Sequence, residues 1–473
     1  MNRRSFFQKA TILSGGIFSY SETLSERFHE VFPVVRVPPN QRKFKSNFIE
    51  EAIKEFQLRV KDKKLTWLFG NCFPNTLDTT VKYQTINGDP DTYVITGDID
   101  AMWLRDSSAQ VWPYLQFLDR DKYLKQLIAG VINRQSICIL RDSYANAFYL
   151  DPQKTGEWKN DFTEMKPGLH ERKWEIDSLC YPIRLAYHYW KITKDTSPFN
   201  TRWQEVIKIT LKTFKEQQRK YGKGPYHFQR TTSWATDGVP MNGYGYPIKP
   251  VGLICSAFRP SDDATIFSFL IPSNFFAVKS LRQAAEMIRT ISADASTSFE
   301  LETLAMEVEN ALKLHAVVNH QKYGKVYAYE INGLGSYNLM DDANVPSLLS
   351  LPYLGALSPN DEVYKNTRAM LLSDDNPFYF KGKAGEGIGG PHVGSDMIWP
   401  ISIIMRGLTS NDDKEIINCI NTLKNCDANT GFMHESFHKD DSANFTRKWF
   451  AWANTLFGEF LWKTYKNKPY LLD

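Results

Sequence analysis

Amphipathic helical segments separated by long loops run through most of this chain, and this alternation limits the folds that it can adopt. Residues 175–193, for example, carry Ile176, Leu179 and Ile183 on roughly one helical face, which is typical of a helix packed on a core. Simple bundles use short connections, whereas loops longer than about 12–15 residues usually carry function. The other predicted helices are 48–60, 107–119, 121–137, 201–219, 272–292, 297–319, 361–372, 396–408, 412–425 and 447–465, and the long loops are 66–106, 139–174, 222–271, 324–348, 374–396 and 427–446. This pattern predicts an all-α (α/α)6 toroid whose long functional loops gather at one end and form a pocket.

Composition excludes several classes of protein. The 473 residues are 42% hydrophobic and 23% charged, with a formal net charge of +4, and these ordinary globular values argue against disorder and against a membrane bundle. The sequence contains no apolar run long enough for a membrane span and no basic cluster that indicates nucleic-acid binding. Aromatic residues reach 14%, which suits either a sugar-stacking cleft or an aromatic core. Six scattered cysteines do not form a disulfide framework, so we expect buried thiols.

The N-terminus has the features of an export signal. Arg3 and Arg4 precede two phenylalanines and a weakly apolar stretch with two glycines, which is typical of a twin-arginine signal. A frayed basic terminus is the alternative. We expect a twin-arginine-like export signal at 1–25, a linker or docking arm at 26–45 and a single (α/α)6 catalytic domain at 46–473, exported to the periplasm.

One segment, TGDIDAMWLRDS, places Arg105 beside Asp106 at a loop-to-helix junction. A guanidinium fork beside a carboxylate can grip two adjacent sugar hydroxyls, and Trp103 can supply a stacking wall. Capping of the following helix by Asp106 is the structural alternative.

In the segment KWEIDS, Glu175 and Asp177 either face the same pocket or simply complement the dipole of the helix that starts there.

Adjacent carboxyl groups occur in the segment FRPSDDA, where Asp262 and Asp263 follow Arg259. Neighbouring carboxylates can push their pKa values apart, so that one stays protonated and can act as a general acid. Helix capping is again the alternative.

Two more loops offer polar groups for a sugar. His392 lies in a glycine-rich turn, and Asn344 follows a pair of aspartates. Either loop can equally be a plain turn or a helix cap.

Glu435 is a candidate general base in the segment GFMHESFH. The letters His434-Glu435-Ser436-Phe437-His438 match the HExxH pattern of zinc proteases. That chemistry needs a regular helix to place both imidazoles on one face, and here a glycine precedes the motif and polar residues follow it. A metalloprotease is therefore kept only as an alternative, and we expect no metal and no cofactor.

Taken together and in this order, TGDIDAMWLRDS, WEIDSLCYP, FRPSDDA, LPYLG, GGPHVGSDMIWP and MHESF resemble glycoside hydrolase family 125, the exo-α-1,6-mannosidases, over residues 45–465. The family is similar in fold to the glucoamylase-like (α/α)6 enzymes, in which a W-x-R-D segment also lines the terminal-sugar site.

The resemblance implies a metal-independent, inverting enzyme that releases single mannoses from the non-reducing ends of glycans. It implies that Asp262, in preference to Asp263, is the general acid and that Glu435 is the base. The residues expected to bind substrate are Trp103, Arg105, Asp106, Asp98, Asp263, Arg259, His392 and Asn344. We expect a monomer with an oligosaccharide or glycan as substrate. An exo-glycosidase of the same fold acting on another sugar, and a sugar-binding protein without activity, are the remaining alternatives.

Overall fold

Helices dominate the part of the chain that the computed structural model describes, residues 32–472. The predicted export signal at 1–25 and the first residues of the predicted arm, 26–31, lie outside the described residues. The helices are α1 (Asn47–Arg59), α2 (Lys63–Cys72), α3 (Asn75–Thr79), α4 (Leu104–Val111), α5 (Lys122–Arg141), α6 (Ile176–Thr193), α7 (Thr201–Gln217), α8 (Pro240–Gly243), α9 (Ile271–Met287), α10 (Ala295–His315), α11 (Glu362–Leu371), α12 (Pro400–Leu408), α13 (Asp413–Asn425) and α14 (Ala451–Asn467).

The chain alternates between an inner and an outer ring. In the inner ring α4 packs against α6 and α14, α6 packs against α9, and α12 packs against α14. Buried turns at 347–354 fill the sixth inner position, since Tyr353 bonds to Arg184 of α6 and to Glu459 of α14. The outer segments are α2, α5, α7, α10, α11 and α13. Each of them is followed along the chain by one inner segment. This is the predicted (α/α)6 toroid, and no helix of the described chain is long and apolar enough to cross a membrane.

Local sequence explains where α1 and the outer helices α2, α5, α7 and α10 begin. Ser46, Asp62, Asp121, Asn200 and Asp294 each precede a helix and accept a hydrogen bond from a backbone N–H of its first turn. Such side chains satisfy donors that a helix leaves unpaired at its start. The inner helices α4, α9, α12 and α14 have no side-chain cap of this kind. They begin instead directly after a strand or bridge.

Short strands lie in the long loops and join them in pairs and triplets. Antiparallel sheets of three strands have the orders β3-β4-β5, β6-β9-β10 and β13-β14-β15, and three hairpins are formed by β1-β2, β7-β8 and β11-β12. Because β3, β6 and β13 lead into α4, α9 and α12, these sheets hold the starts of inner helices. The strands are β1 (Val81–Ile86), β2 (Asp89–Val94), β3 (Met102–Trp103), β4 (Ala147–Phe148), β5 (Leu169–Glu171), β6 (Phe269–Leu270), β7 (Val317–His320), β8 (Gly324–Tyr327), β9 (Glu330–Ile331), β10 (Tyr337–Asn338), β11 (Tyr379–Lys381), β12 (Glu386–Ile388), β13 (Met397–Ile398), β14 (Ser436–His438) and β15 (Asp441–Thr446).

The compact unit of the chain is Val35–Asp473, so part of the predicted arm belongs to it. Arg36 pairs with Asp78 at 2.7 Å and with Glu50 at 2.5 Å. These ion pairs hold Arg36 against the start of α1 and the end of α3.

Much of the aromatic content lies in the core. Phe69 stacks on Phe56 and Phe73, with ring centroids 4.0 and 4.8 Å away, and Trp462 of α14 lies 6.0 Å from Phe69. All six cysteines are buried free thiols, as predicted. An aromatic core therefore accounts for much of the high aromatic content.

Candidate active site

The candidate residues lie in the first turns of inner helices or on the loops that precede inner helices. Arg105 and Asp106 are in the first turn of α4, and Asp177 is in the first turn of α6. Asp262 precedes α9, His392 precedes α12, and Glu435 precedes α14. Helix N-termini carry partial positive charge, which favours carboxylates. The toroid therefore assembles acidic groups from distant parts of the sequence at one end.

Arg105 is the centre of an acidic cluster. Its Nη1 lies 2.6 Å from Glu175 Oε2 and 3.1 Å from Asp177 Oδ2. Its Nε lies 3.6 Å from Asp106 Oδ2, and its Nη2 lies 3.6 Å from Asp262 Oδ1. One buried guanidinium thus faces four carboxyl groups. Hereafter, these five residues are called the Arg105 cluster.

Burial changes the protonation of this cluster. Burial raises the pKa of Glu175 well above its usual value, against the opposing charge of Arg105. Burial likewise raises the pKa of Asp177 to about 6 and raises that of Asp106. A single cation compensates poorly for the three buried acids of the cluster, because each ionised carboxylate loses its hydration. The raised pKa of Glu175 therefore favours its protonated form at neutral pH.

Asp262 sits on a tightly held loop. Its backbone has a φ of +69°, an unusual value for a residue with a side chain. Lys173 Nζ donates to its backbone carbonyl at 2.8 Å, and Asn146 Nδ2 lies 3.4 Å from Oδ1. The Asp262 side chain retains 24% exposure, whereas the other acids of the Arg105 cluster are almost fully buried. Asp262 is thus the member of this cluster that a ligand can reach.

Asp263 has a different environment from its neighbour. Its Oδ1 lies 3.5 Å from His392 Nδ1, and its side chain is 1% exposed. Burial opposes ionisation of Asp263, but the hydrogen bond and charge of His392 lower its pKa overall. Conversely, although burial disfavours the imidazolium, Asp263 raises the pKa of His392 to about 9. The two form an ion pair at neutral pH, which leaves Asp263 without a proton to donate.

Glu435 is paired with Arg447. Arg447 Nη1 lies 3.4 Å from Glu435 Oε1, while its Nε donates to Asp98 Oδ1 at 2.9 Å. Gly97 makes this possible: a Cβ there would lie 2.5 Å from the carbonyl oxygen of Trp449, and its φ is +131°. The close approach brings Asp98 to the segment that leads into α14.

Trp103 belongs to a small aromatic group apart from the main core. The rings of Trp103 and His170 are 5.0 Å apart, edge to face, and His170 Nδ1 lies 2.8 Å from the Tyr149 hydroxyl. The main apolar cluster does not include Trp103. It lies next to the start of α4 and is 6% exposed, so the stacking wall stays a prediction.

Two predicted substrate-binding residues are engaged within the protein. Arg259 Nε donates to Glu330 Oε1 at 2.6 Å, and Glu330 Oε2 accepts from the backbone N–H groups of Ile266 and Phe267. Arg259 therefore supports the Asp262 loop from behind. Asn344 is buried and its backbone N–H donates to Asp342 Oδ1 at 3.1 Å.

The HExxH letters do not form a zinc-protease helix. Ser436–His438 is strand β14, and His434 precedes it in a loop. The His434 ring stacks on Phe445 at 3.7 Å, and its Nε2 lies 3.3 Å from the carbonyl oxygen of Asp427. In residues 32–472, no group of three or more His, Cys, Asp or Glu side chains is placed to hold a metal ion.

Lys173, Asn146 and Arg447 were not among the predicted site residues. Lys173 is the first residue of the KWEIDS segment, but a lysine before a helix has no specific signal. Arg447 follows Glu435 by 12 residues, and the turn between β14 and β15 that brings them together cannot be read from spacing.

Comparison with known proteins identifies the family. The model of a family described as metal-independent alpha-mannosidase (GH125) matches residues 62–462. The chain belongs to glycoside hydrolase family 125. It is 41% identical over 458 residues to the meiotically up-regulated gene 157 protein of Schizosaccharomyces pombe, covering 93% of this chain and 90% of that protein.

Solved structures agree with this membership. A metal-independent α-mannosidase of Streptococcus pneumoniae, determined as a non-productive substrate complex with α-1,6-mannobiose, matches with a TM-score of 0.86 and 40% identity, over 90% of this chain and 100% of that one. The glucoamylase of Saccharomycopsis fibuligera matches with a TM-score of 0.51 and 13% identity, over 91% of this chain and 98% of that one. The second match shows a shared toroid fold alone. The family-125 protein described here is thus an α-mannosidase-family glycoside hydrolase.

Proposed function

We propose that this family-125 protein is an exo-acting, inverting α-mannosidase that releases terminal α-1,6-linked mannose, with Asp262 as the general acid and Glu435 as the general base. The observation that carries the proposal is the placement of two carboxyl groups on separate loops at one end of the toroid. Both act electrostatically on the same imidazole, that of His392. The complex of the pneumococcal relative with α-1,6-mannobiose supports the choice of linkage.

The two carboxyl groups have suitable surroundings for different roles. Asp262 donates its proton to the glycosidic oxygen as the bond from that oxygen to the anomeric carbon breaks. Glu435, held beside Arg447, accepts a proton from the water that attacks the anomeric carbon from the opposite face. This division of labour defines an inverting glycosidase. Asp263, in its ion pair with His392, holds the acid loop and orients the imidazole.

The burial of the Arg105 cluster favours binding of the terminal sugar of a glycan. Apart from Asp262, its acids are almost fully buried, so a sugar that reaches Asp262 meets protein beyond it. A closed subsite of this kind admits a terminal residue and excludes an internal one. Asp262 then meets that sugar, while Arg105, which is 3% exposed, holds the Asp262 carboxyl group from behind at 3.6 Å.

The test is hydrolysis of α-1,6-mannobiose followed by NMR, with and without EDTA. We expect β-mannose as the first product, the same rate with the chelator, and slower hydrolysis of the α-1,2 and α-1,3 isomers. Asp262→Asn and Glu435→Gln should each lower kcat by at least about a hundredfold, since general acid–base catalysis typically contributes 10²–10⁴-fold. Asp100→Asn is the matched control, because the Asp100 side chain is 76% exposed and pairs with Lys154.

Other outcomes would redirect the proposal. α-Mannose as the first product would refute inversion, and full activity of Glu435→Gln would remove Glu435 as the base. Binding of mannobiose without turnover would favour a sugar-binding protein. Turnover of a glucoside in preference to the mannoside would favour an exo-glycosidase of the same fold that acts on another sugar.

We also propose export and a monomeric state. Arg3 and Arg4 with the following apolar stretch support a twin-arginine signal. Cell fractionation of the natural chain beside an Arg3→Lys, Arg4→Lys double variant tests export, since the variant should stay in the cytoplasm. Sedimentation of the purified protein tests the monomer.

A further inference from the structure

Glu175 occupies a position that the acid–base pair of the proposed reaction does not explain. It is fully buried, and it precedes α6 without capping it. The backbone N–H of Ile176 donates instead to Ser256 Oγ at 3.2 Å. Capping of α6 therefore does not account for the carboxyl group at this position.

The two oxygens of Glu175 differ in their partners. Oε2 accepts from Arg105 Nη1 at 2.6 Å and from Ser178 Oγ at 2.8 Å. Oε1 is buried and has no hydrogen-bond donor among the described residues. The Asp262 carboxyl group is a neighbour of Glu175 across one guanidinium, since Arg105 Nη1 lies 2.6 Å from Glu175 Oε2 and Arg105 Nη2 lies 3.6 Å from Asp262 Oδ1. A buried ionised oxygen without a donor is costly, whereas a protonated oxygen can donate.

The charges around Glu175 also favour its neutral form. Arg105 is shared among four acids, so Glu175 does not have the cation to itself. Burial raises the pKa of Glu175, and the nearby carboxyl groups of Asp177 and Asp262 add to that effect. Lys173, two residues before Glu175 in the chain, is engaged elsewhere: it donates to Asp237 at 2.5 Å and to the Asp262 carbonyl at 2.8 Å.

We propose that Glu175 is a positioning residue for the general acid, which it serves as a neutral carboxylic acid by donating an Oε1–H hydrogen bond to the Asp262 carboxyl group. This inference rests on the proposed function in so far as Asp262 is the acid. When Asp262 transfers its proton to the leaving oxygen, the Asp262 O–H bond breaks and the leaving-group O–H bond forms. The Glu175 O–H bond stays intact, and its hydrogen bond strengthens because the acceptor has become a carboxylate.

Glutamine is an isostere of the neutral form, and this gives the decisive variant. In Glu175→Gln the amide oxygen can still accept from Arg105 and Ser178, and the amide nitrogen can donate to Asp262. We expect Glu175→Gln to keep kcat on α-1,6-mannobiose within about threefold of the wild type, and Glu175→Leu to lose about a hundredfold, as for loss of general-acid catalysis. If Glu175 is an ionised partner of Arg105, glutamine will fail as leucine does, and that result overturns the proposal.

Leaving-group dependence separates positioning of the acid from a general structural role. A dinitrophenyl α-mannoside needs little protonation of its leaving group. Glu175→Leu should therefore lose much less activity on this substrate than on mannobiose. An equal loss on both substrates, with an unchanged thermal midpoint, would contradict a role through Asp262.

A matched control and a readout without turnover complete the test. Glu330 is also fully buried and also lies 2.6 Å from an arginine, but both of its oxygens have donors. Glu330→Gln should lower the thermal midpoint, whereas Glu175→Gln should not. In infrared difference spectra at pH 7, wild type minus Glu175→Gln should show a protonated-carboxyl C=O band, and wild type minus Glu330→Gln should not.

The two proposals fail in different ways. If the wild type hydrolyses no α-mannoside, the proposed function fails, while the infrared and thermal comparisons still decide the protonation of Glu175. If the wild type is active and the infrared band is missing, the neutral Glu175 is refuted and the mannosidase proposal stands.

Discussion

The ion pair between His392 and Asp263 makes the stability of the protein depend on pH in a defined direction. Burial works against the imidazolium, but Asp263 raises the pKa of His392 from 6.5 to about 9. A group whose pKa is higher in the folded state binds its proton more tightly there. Its contribution is complete below about pH 6.5 and is lost as the pH rises through about 9.

The size of this effect follows from the two pKa values. At ~1.36 kcal/mol per pKa unit, the difference corresponds to about 3.4 kcal/mol as an upper limit. The His392 side chain is 30% exposed, and solvent screens such a pair, so about 2 kcal/mol is a more reasonable expectation. The perturbation is His392→Gln, which keeps a polar side chain and removes the titration.

The assay has two parts. NMR titration of labelled histidines, with His392 assigned by its absence in the variant, should show a His392 midpoint of about 9. Urea unfolding should show that the wild type exceeds His392→Gln in free energy of unfolding by about 2 kcal/mol at pH 6 and by much less at pH 9.5. A gap that is the same at both pH values, or a His392 midpoint near 6.5, would refute the reasoning.

Three further predictions follow from the packing of the site and the core. Gly97→Ala should lower kcat/KM and stability together, because its Cβ would lie 2.5 Å from the Trp449 carbonyl oxygen; wild-type kinetics would show that the close approach is dispensable. Arg447→Met should lower kcat/KM by about 10–100-fold, since hydrogen bonds to charged groups contribute ~1.5–3 kcal/mol, and an unchanged value would remove Arg447 as the partner of Glu435. Phe69→Ala, in the aromatic stack, should cost about 3–5 kcal/mol in the free energy of unfolding while leaving KM unchanged, and a change in KM alone would contradict a purely structural role.

Helical periodicity predicted the toroid because most outer helices expose one side and bury the other. Helix α7 shows this clearly: it was expected at 201–219 and is found at Thr201–Gln217. Helix α2 was missed within a predicted loop, since Leu65–Cys72 is buried at nearly every position and so has little amphipathic contrast. Helices α12 and α14 begin four residues later than expected, at Pro400 and Ala451, because short strands or bridges come first. Strand pairing over long distances has no local signal.

The candidate site was predictable where its residues lie in dense motifs and not where single residues come from elsewhere. Arg105, Asp106 and Asp262 were found through their segments, and the structure brings them together. Arg259 stood out by the same criterion, yet it bonds to Glu330 behind the loop. Sequence shows that a charged residue is present in a motif, but the direction of its side chain depends on tertiary contacts.

The position of the acidic groups at the starts of the inner helices explains how one fold can hold so many of them. Asp106 and Asp177 lie in first turns, where the helix dipole favours negative charge. That effect is worth at most about 2 kcal/mol in partly buried geometries, which is less than the cost of desolvating a carboxylate. The remainder must come from shared cations and from retained protons. Arg105 and Arg447 supply the first, since each contacts at least two carboxyl groups. The raised pKa of Glu175 supplies the second, and in the proposed reaction a neutral Glu175 keeps its proton and holds Asp262 in place while Asp262 delivers its own proton to the leaving group.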